Sequence, residues 1–247
     1  MHSLLFLFRL VFALPVLPFM YWQGQQVWRR LPVPVGAQGD AFGACTGAGA
    51  PMNILLLGES TVAGVGVKYY EQTISAKLAT ELAQRLQQTI CWHAIGQIGA
   101  KVGFARKNFL PQIDTSIHYD VIIILLGVND TVQLTPPGIW QRELFKLIKT
   151  LQKIQPQALI YVGNLPPVTE FGVIPQPSRA FLGWHHQLLI RATQQILQNQ
   201  PNIVVSQLRF KNLPAHYFSE DGVHPSEAGY AYWAGKIAAE LAPFLVK

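Results

Sequence analysis

The chain has 247 residues, of which 50% are hydrophobic and only 13% are charged, whereas an average soluble domain has about 25% charged residues. This composition excludes an intrinsically disordered protein and a coiled coil. The formal net charge of +6 comes from scattered lysines and arginines, so we expect no nucleic-acid partner. Cys45 and Cys91 are too few for a disulfide framework and lack metal-ligand spacing.

An apolar stretch covers residues 4–22 and is broken by Arg9 and two prolines. As one helix it would extend about 28 Å, close to the thickness of a bilayer core. Tyr21 and Trp22 stand where membrane proteins place interfacial aromatics. We therefore predict that residues 1–30 are a hydrophobic membrane segment that anchors the protein. The sequence leaves undecided on which side of the membrane the domain lies. A cleaved signal peptide and an interfacial or buried helix are the alternatives, because Arg9 shortens the uninterrupted stretch.

Residues 31–52 are rich in proline, glycine and alanine and show neither helical nor strand periodicity. Such a composition is typical of a linker. The sequence thus predicts a membrane segment, a linker and one domain over residues 53–247.

Short apolar runs alternate with amphipathic stretches through this domain. The runs predict strands at 53–57, 90–95, 120–126, 158–162 and 202–206. The amphipathic stretches predict helices at 73–87, 101–113, 138–154, 179–198 and 226–245. Strands that alternate with helices indicate right-handed crossovers and a parallel sheet. We predict an α/β protein with a three-layer α/β/α domain around a five-stranded parallel sheet.

Polar segments follow the first three predicted strands, at residues 58–61, 96–99 and 127–130, and another, 221–225, precedes the last helix. In parallel sheets, ligands bind outside the carboxyl ends of the strands. Because these segments should lie together at one edge of the sheet, we expect them to form a single site.

The residue types in these segments fit nucleophilic acyl transfer. Ser60 supplies a hydroxyl, which is a weak nucleophile without an adjacent base. His224 is the candidate base, and Asp221 is placed to fix its tautomer and stabilise the imidazolium. The backbone N–H groups of Ser60 and Gly99 and the side-chain amide of Asn129 are candidate oxyanion-hole donors.

These segments together resemble the SGNH/GDSL hydrolase superfamily, whose four sequence blocks supply Ser, Gly, Asn and His in that order. Two positions depart from its pattern. Glu59 replaces the commoner aspartate before the serine, and Ala94 stands where the second block usually has an asparagine. The second departure leaves open whether Gly96 or Gly99 is the oxyanion donor. The resemblance implies a flavodoxin-like fold and the hydrolysis of esters or thioesters.

We therefore expect a serine esterase that cleaves short or medium acyl or aryl esters through an acyl-enzyme, with thioesters and lysophospholipids as further candidate substrates. A carbohydrate O-deacetylase or acyltransferase of the same fold is one alternative, and a catalytically silent, membrane-anchored binding module is another. No cofactor or metal is expected, and the natural ester and the oligomeric state are left open. Two loops, 164–178 and 207–220, should wall the site with Phe171, Ile174, Phe210, Tyr217 and Phe218. His185 and His186 are interpreted as surface or cleft residues and not as ligands.

Overall fold

The structure is a computed structural model that describes residues 2–164, 168–210 and 212–246. Its strands are β1 (Phe42–Cys45), β2 (Gly49–Gly58), β3 (Gln88–Gly96), β4 (Val121–Leu125), β5 (Leu159–Val162) and β6 (Ile203–Val205). Its α-helices are α1 (His2–Ala13), α2 (Leu17–Arg30), α3 (Ile74–Leu86), α4 (Val102–Asn108), α5 (Val128–Val132), α6 (Pro137–Ile154), α7 (Ser178–Leu197) and α8 (Glu227–Leu245).

The strands form one sheet in the order β1-β3-β2-β4-β5-β6. All neighbouring strands are parallel except β1, which runs antiparallel to β3. Successive β2 side chains point to opposite faces, so that Ile54 and Leu56 pack with α3 and α8 while Leu55 and Leu57 pack with α4 and α6. This arrangement confirms the three-layer α/β/α class.

The prediction of five strands is wrong, because the sheet has six. The additional strand, β1, lies inside the predicted linker 31–52, and β2 also begins there, at Gly49. The linker is therefore too long in the prediction and the domain starts before residue 53. Small residues dominate both segments, so they carry no apolar alternation, and β1 is fixed by its backbone pairing with β3.

The carboxyl ends of the three central strands stop at one level. Gly58 at the end of β2 pairs with Gly96 of β3 on one side and with Leu125 of β4 on the other. The chain therefore leaves all three strands at the same edge of the sheet, and the segments that follow them lie next to one another. This register places residues 59–60, 97–99 and 127–129 around one point.

The predicted membrane segment folds as two helices, α1 and α2, whose axes are bent by 92° across a short break. Judged by length and hydropathy, no single helix among the described residues suffices to cross a membrane, whereas α1 and α2 together satisfy both criteria. The pair contacts α6 and α7 of the domain. The membrane segment accordingly stays a prediction.

Candidate active site

Ser60 lies on a series of tight turns that directly follows β2. The backbone N–H of Val65 donates to the Ser60 carbonyl, and those of Val62 and Ala63 donate to the Glu59 carbonyl. The next helix, α3, begins only at Ile74. Ser60 therefore does not cap a helix, and its buried side chain is positioned by the turns at the carboxyl edge of the sheet.

Asp221 and His224 lie on a compact loop just before α8. The Asp221 Oδ1 atom accepts hydrogen bonds from the backbone N–H groups of Val223 and His224, at 2.8 Å and 2.9 Å. The Ser219 hydroxyl donates to the same oxygen at 2.9 Å. Three groups of the loop thus bind Oδ1 of Asp221, and Oδ2 faces the imidazole of His224.

The three predicted triad residues lie in hydrogen-bond contact. The His224 Nδ1 atom lies 2.6 Å from Asp221 Oδ2, and its Nε2 atom lies 2.9 Å from Ser60 Oγ. Burial acts to raise the pKa of Asp221, but the hydrogen bonds from the His224 ring and the loop N–H groups outweigh it and hold that pKa well below its ordinary value. Asp221 is therefore a carboxylate at neutral pH, and Nδ1 of His224 carries the proton that it accepts.

Helix α8 connects the serine turn to the loop of Asp221 and His224. The Tyr230 hydroxyl donates to the Val65 carbonyl at 2.7 Å and is fully buried. Ser226 caps the start of the same helix, with its hydroxyl accepting from the Gly229 N–H at 3.2 Å. One rigid element thus sets the distance between Ser60 and His224. Sequence reasoning missed Tyr230, because nothing distinguishes it from an ordinary core aromatic.

Glu59 is a buried carboxyl group directly before Ser60. Its Oε1 atom accepts from the Val128 N–H and its Oε2 atom from the Asn129 N–H, both at 2.9 Å. Oε2 also accepts from the Asn129 side-chain amide. Burial raises the pKa of Glu59 to about 7, against the opposing effect of these hydrogen bonds. The side chain therefore clamps the turn after β2 onto the turn after β4.

The clamp also fixes the orientation of the Asn129 amide. When ionised, Glu59 only accepts hydrogen bonds, and it is the Asn129 side-chain nitrogen that donates to it. An amide nitrogen has two hydrogens, and Glu59 holds one of them. The second hydrogen of the same nitrogen stays available to a substrate oxygen. From the sequence alone Glu59 is only a conservative change, because its contact with Asn129 lies seventy positions away along the chain.

Gly96 and Gly99 differ in why each position needs glycine. A Cβ on Gly96 would lie 2.6 Å from the Val62 carbonyl carbon, so the end of β3 packs directly on the serine turn. Gly99 has a φ of +77°, in the left-handed region, and a Cβ there would meet nothing within 4 Å. Gly96 is thus occupied with packing, while Gly99 lies in open space at the edge of the site. This contrast favours Gly99 as the candidate donor.

Other residues from the sequence analysis have different surroundings from those expected. His185 and His186 are buried, so a surface position is wrong for both, whereas His186 lines a cavity beside Gly127 and Asn164 as a cleft residue would. Phe210 packs edge-on against Trp233 in the core, and Tyr217 is also buried. Part of the expected wall loop, residues 165–167, lies outside the described residues.

The remaining aromatic residues of the wall loops do meet. Phe171 packs edge-on against Phe218, with ring centroids 5.8 Å apart. This contact joins the loop after β5 to the loop that carries Asp221. Asp130, next to Asn129, accepts from the Val102 N–H at 2.9 Å and so connects α5 to α4.

Comparison with known proteins identifies the family. A sequence model of the GDSL-like lipase/acylhydrolase family matches residues 56–232, a range that includes Ser60, Gly99, Asn129, Asp221 and His224. The chain belongs to this family. It is 25% identical over 240 residues to a GDSL-like esterase of Mycobacterium tuberculosis, covering 88% of this chain and 73% of the relative. The GDSL family assignment makes the chain an ester-hydrolysing enzyme.

Solved structures share the GDSL fold. A lipase from a goat rumen metagenome superposes with a TM-score of 0.61 at 20% identity, covering 76% of this chain and 96% of the other. A carbohydrate esterase of Corynascus thermopiles gives 0.60 at 16% identity, covering 80% and 68%. The esterase EstA of a Pseudoalteromonas species gives 0.57 at 19% identity, covering 78% and 98%. At these identities the likeness supports the fold alone.

The Glu59 clamp generates the first prediction. Glu59→Gln keeps the shape of the side chain but puts an amide donor where N–H groups must be accepted, so the Asn129 amide loses its fixed orientation. We expect kcat for a soluble ester to fall by about 10²-fold, with a smaller change in KM. Glu71→Gln, at an exposed position on the surface, is the matched control. A Glu59→Gln enzyme that melts normally and keeps full kcat would show that the carboxylate plays no part in orienting Asn129.

The two glycines generate the second prediction. Gly96→Ala should lower the melting temperature strongly, because its Cβ would collide with the backbone of the serine turn. Gly99→Ala has room for the side chain but strains a left-handed backbone by about 1–2 kcal/mol, so we expect a modest loss of stability and a larger loss of kcat. Thermal melts and steady-state kinetics of both variants test this. If the loss of kcat relative to the loss of melting temperature is the same in Gly99→Ala as in Gly96→Ala, the assignment of Gly99 to the site is contradicted.

Proposed function

We propose that the protein cleaves carboxylic esters through a Ser60–His224–Asp221 triad and an acyl-enzyme intermediate. The observation that carries this proposal is the unbroken hydrogen-bond chain from Ser60 Oγ through both ring nitrogens of His224 to Asp221, at 2.9 Å and 2.6 Å. A base held in one tautomer by a carboxylate is what a serine nucleophile requires.

In the first half-reaction, Ser60 Oγ attacks the ester carbonyl carbon while its proton passes to His224 Nε2. Asp221 stabilises the imidazolium that forms. The negative charge that develops on the carbonyl oxygen is met by the N–H groups of Ser60 and Gly99 and by the free amide hydrogen of Asn129. The imidazolium then gives its proton to the departing alkoxide, and the alcohol leaves the acyl-enzyme.

In the second half-reaction, a water molecule replaces the alcohol. His224 takes a proton from the water as it attacks the acyl carbon, and the same oxyanion donors hold the second tetrahedral intermediate. The imidazolium returns the proton to Ser60, and the carboxylic acid is released. An acyltransferase would differ only in admitting another acceptor in place of water.

Labelling with a fluorophosphonate probe tests the nucleophile. We expect the probe to react with Ser60 of the full chain, and Ser60→Ala to abolish labelling and to lower kcat by about 10⁴-fold or more. Its melting temperature should stay close to that of the wild type, because only one oxygen is removed. Labelling that persists in Ser60→Ala would show that another residue is the nucleophile, and an unlabelled wild type without esterase activity would favour a silent binding module.

A panel of esters tests the substrate class. An apolar groove gains about 0.8 kcal/mol for each methylene that it buries, and we expect a shallow groove beside the Phe171 and Phe218 pair. For p-nitrophenyl esters, kcat/KM should therefore rise over the first carbons of the acyl chain and fall before palmitate. A preference for palmitoyl esters would require a deep tunnel. Activity on acetylated sugars alone would favour the carbohydrate O-deacetylase, an activity in keeping with the carbohydrate esterase among the structural relatives.

A further inference from the structure

Helices α1 and α2 expose an unusually apolar surface. A helix on the outside of a protein normally shows polar residues to water, but most of the exposed positions of this pair are large and apolar. Leu4 is 75% exposed, Phe12 is 69% exposed and Tyr21 is 71% exposed. The outward apolar side chains of α1 and α2, called here the outer face, are Leu4, Leu5, Leu7, Phe8, Val11, Phe12, Phe19, Tyr21, Trp22 and Trp28.

The opposite side of the pair is fixed to the domain by a narrow stripe of contacts. Phe6 is 5% exposed, and its ring lies 5.1 Å from that of His185 on α7. The Arg9 guanidinium lies over the Trp184 ring, 4.7 Å from its centroid. Arg9 is itself exposed, and this contact gives the one charge of α1 an aromatic partner on the domain.

The pair lies at the same edge of the sheet as Ser60. Helices α6 and α7 both begin at the carboxyl edge, and α1 and α2 reach their first turns. Ser3 lies over Gly138, where an added Cβ would come within 3.1 Å of its hydroxyl oxygen. The Gln23 amide donates to the Gln176 carbonyl at 2.7 Å and accepts from the Ser178 hydroxyl at 2.6 Å.

The segment held by Gln23 continues directly into the wall of the site. Val173, in the same loop, packs so close to Gly222 that a Cβ there would lie 2.8 Å from its Cγ1 atom. Gly222 follows Asp221 of the triad, and Phe171 contacts Phe218 just before it. Contacts therefore run without interruption from the helix pair to the loop that carries Asp221 and His224.

The charge of the segment indicates what covers the outer face. The first 39 residues contain Arg9, Arg29 and Arg30 and no acidic residue. Arg29 and Arg30 are exposed at the end of α2, directly after Trp28. Apolar and aromatic side chains bordered by free arginines are the pattern of helices that lie in the surface of an anionic bilayer.

We infer that α1 and α2 lie in the plane of an anionic phospholipid surface, with the outer face inserted and Arg29 and Arg30 on the headgroups, so that the active-site edge faces esters dissolved in the lipid. In this arrangement the helix pair keeps its 92° bend and its contacts with α6 and α7 of the domain. Only the part of the inference that concerns lipid-dissolved esters rests on the proposed function. The docking of the helix pair on the lipid surface does not depend on Ser60.

Vesicle flotation of the full chain tests the docking. We expect it to float with vesicles of phosphatidylcholine and phosphatidylglycerol in equal parts, and more weakly with phosphatidylcholine alone. Each arginine near an anionic surface contributes about fivefold in partition, so R29Q/R30Q should bind the anionic vesicles about 30-fold less and the neutral ones equally. F8S/F12S should bind both at least about tenfold less, because inserted phenyl surface is lost.

The control is F244S on α8, because Phe244 is 59% exposed but lies outside the helix pair. It should float like the wild type, and all variants should hydrolyse water-soluble p-nitrophenyl acetate at the wild-type rate. For p-nitrophenyl octanoate dissolved in anionic vesicles, only R29Q/R30Q and F8S/F12S should be slower. Equal flotation of F8S/F12S and wild type would overturn the inference. A wild type that ignores vesicles but forms a dimer that F8S/F12S abolishes would assign the outer face to a second copy of the chain.

Two further measurements distinguish this inference from a membrane-spanning arrangement and from the proposed function. Carbonate should release the full chain from cell membranes if the helices lie in the surface, and retention in carbonate would overturn the in-plane arrangement in favour of a spanning one. Ser60→Ala should float like the wild type. If no ester is hydrolysed and Ser60 is not labelled while flotation follows the expected pattern, the proposed function fails and the docking stands.

Discussion

The register of β2 against its two neighbours is the constraint on which the site depends. Gly58 pairs with both Gly96 and Leu125, so three parallel strands release the chain at one level. A shift of one residue in either pairing would turn every side chain of that strand to the other face and would move the following segment by about 3.3 Å. The 2.9 Å contact between His224 and Ser60 tolerates no such shift. Site geometry is therefore inherited from the apolar core that holds the register.

Glu59 converts this alignment of strand ends into a rigid site. Leaving a carboxylate buried without partners costs several kcal/mol, and the three N–H groups that Glu59 accepts offset that cost only in part, since its pKa is still raised to about 7. Burying Glu59 thus costs stability, while its hydrogen bonds order the turn that carries Asn129. Such a balance is expected where a fold keeps a polar group next to a reacting centre.

The sequence allowed the alternating elements and the order of the site segments to be predicted, because both depend on local patterns. Leu78 and Leu82 repeat with helical spacing, and Val121–Leu125 is a continuous apolar run. Strand β1 carries no such pattern, since Gly43 and Ala44 are held by backbone pairing alone. Phe210 and Tyr217 were expected at the site because hydropathy records that a residue is apolar and not where it packs. The partners of Glu59 are equally non-local. Each failure concerns a contact between segments distant in sequence.

The amino-terminal segment shows the same limit on a larger scale. Hydropathy averaged along residues 4–22 measures composition, and a spanning helix, a signal peptide and an in-plane helix pair share that composition. What separates them is which side of each helix is occupied by protein. Phe6 and Gln23 face the domain, while Phe12 and Tyr21 face outward. A segment whose inner stripe is used by the domain has only its outer side left for lipid, and this geometry is the reason for inferring a surface arrangement. Because Gln23 holds the loop that reaches Gly222, the inferred lipid surface and the candidate active site would be positioned by the same contacts.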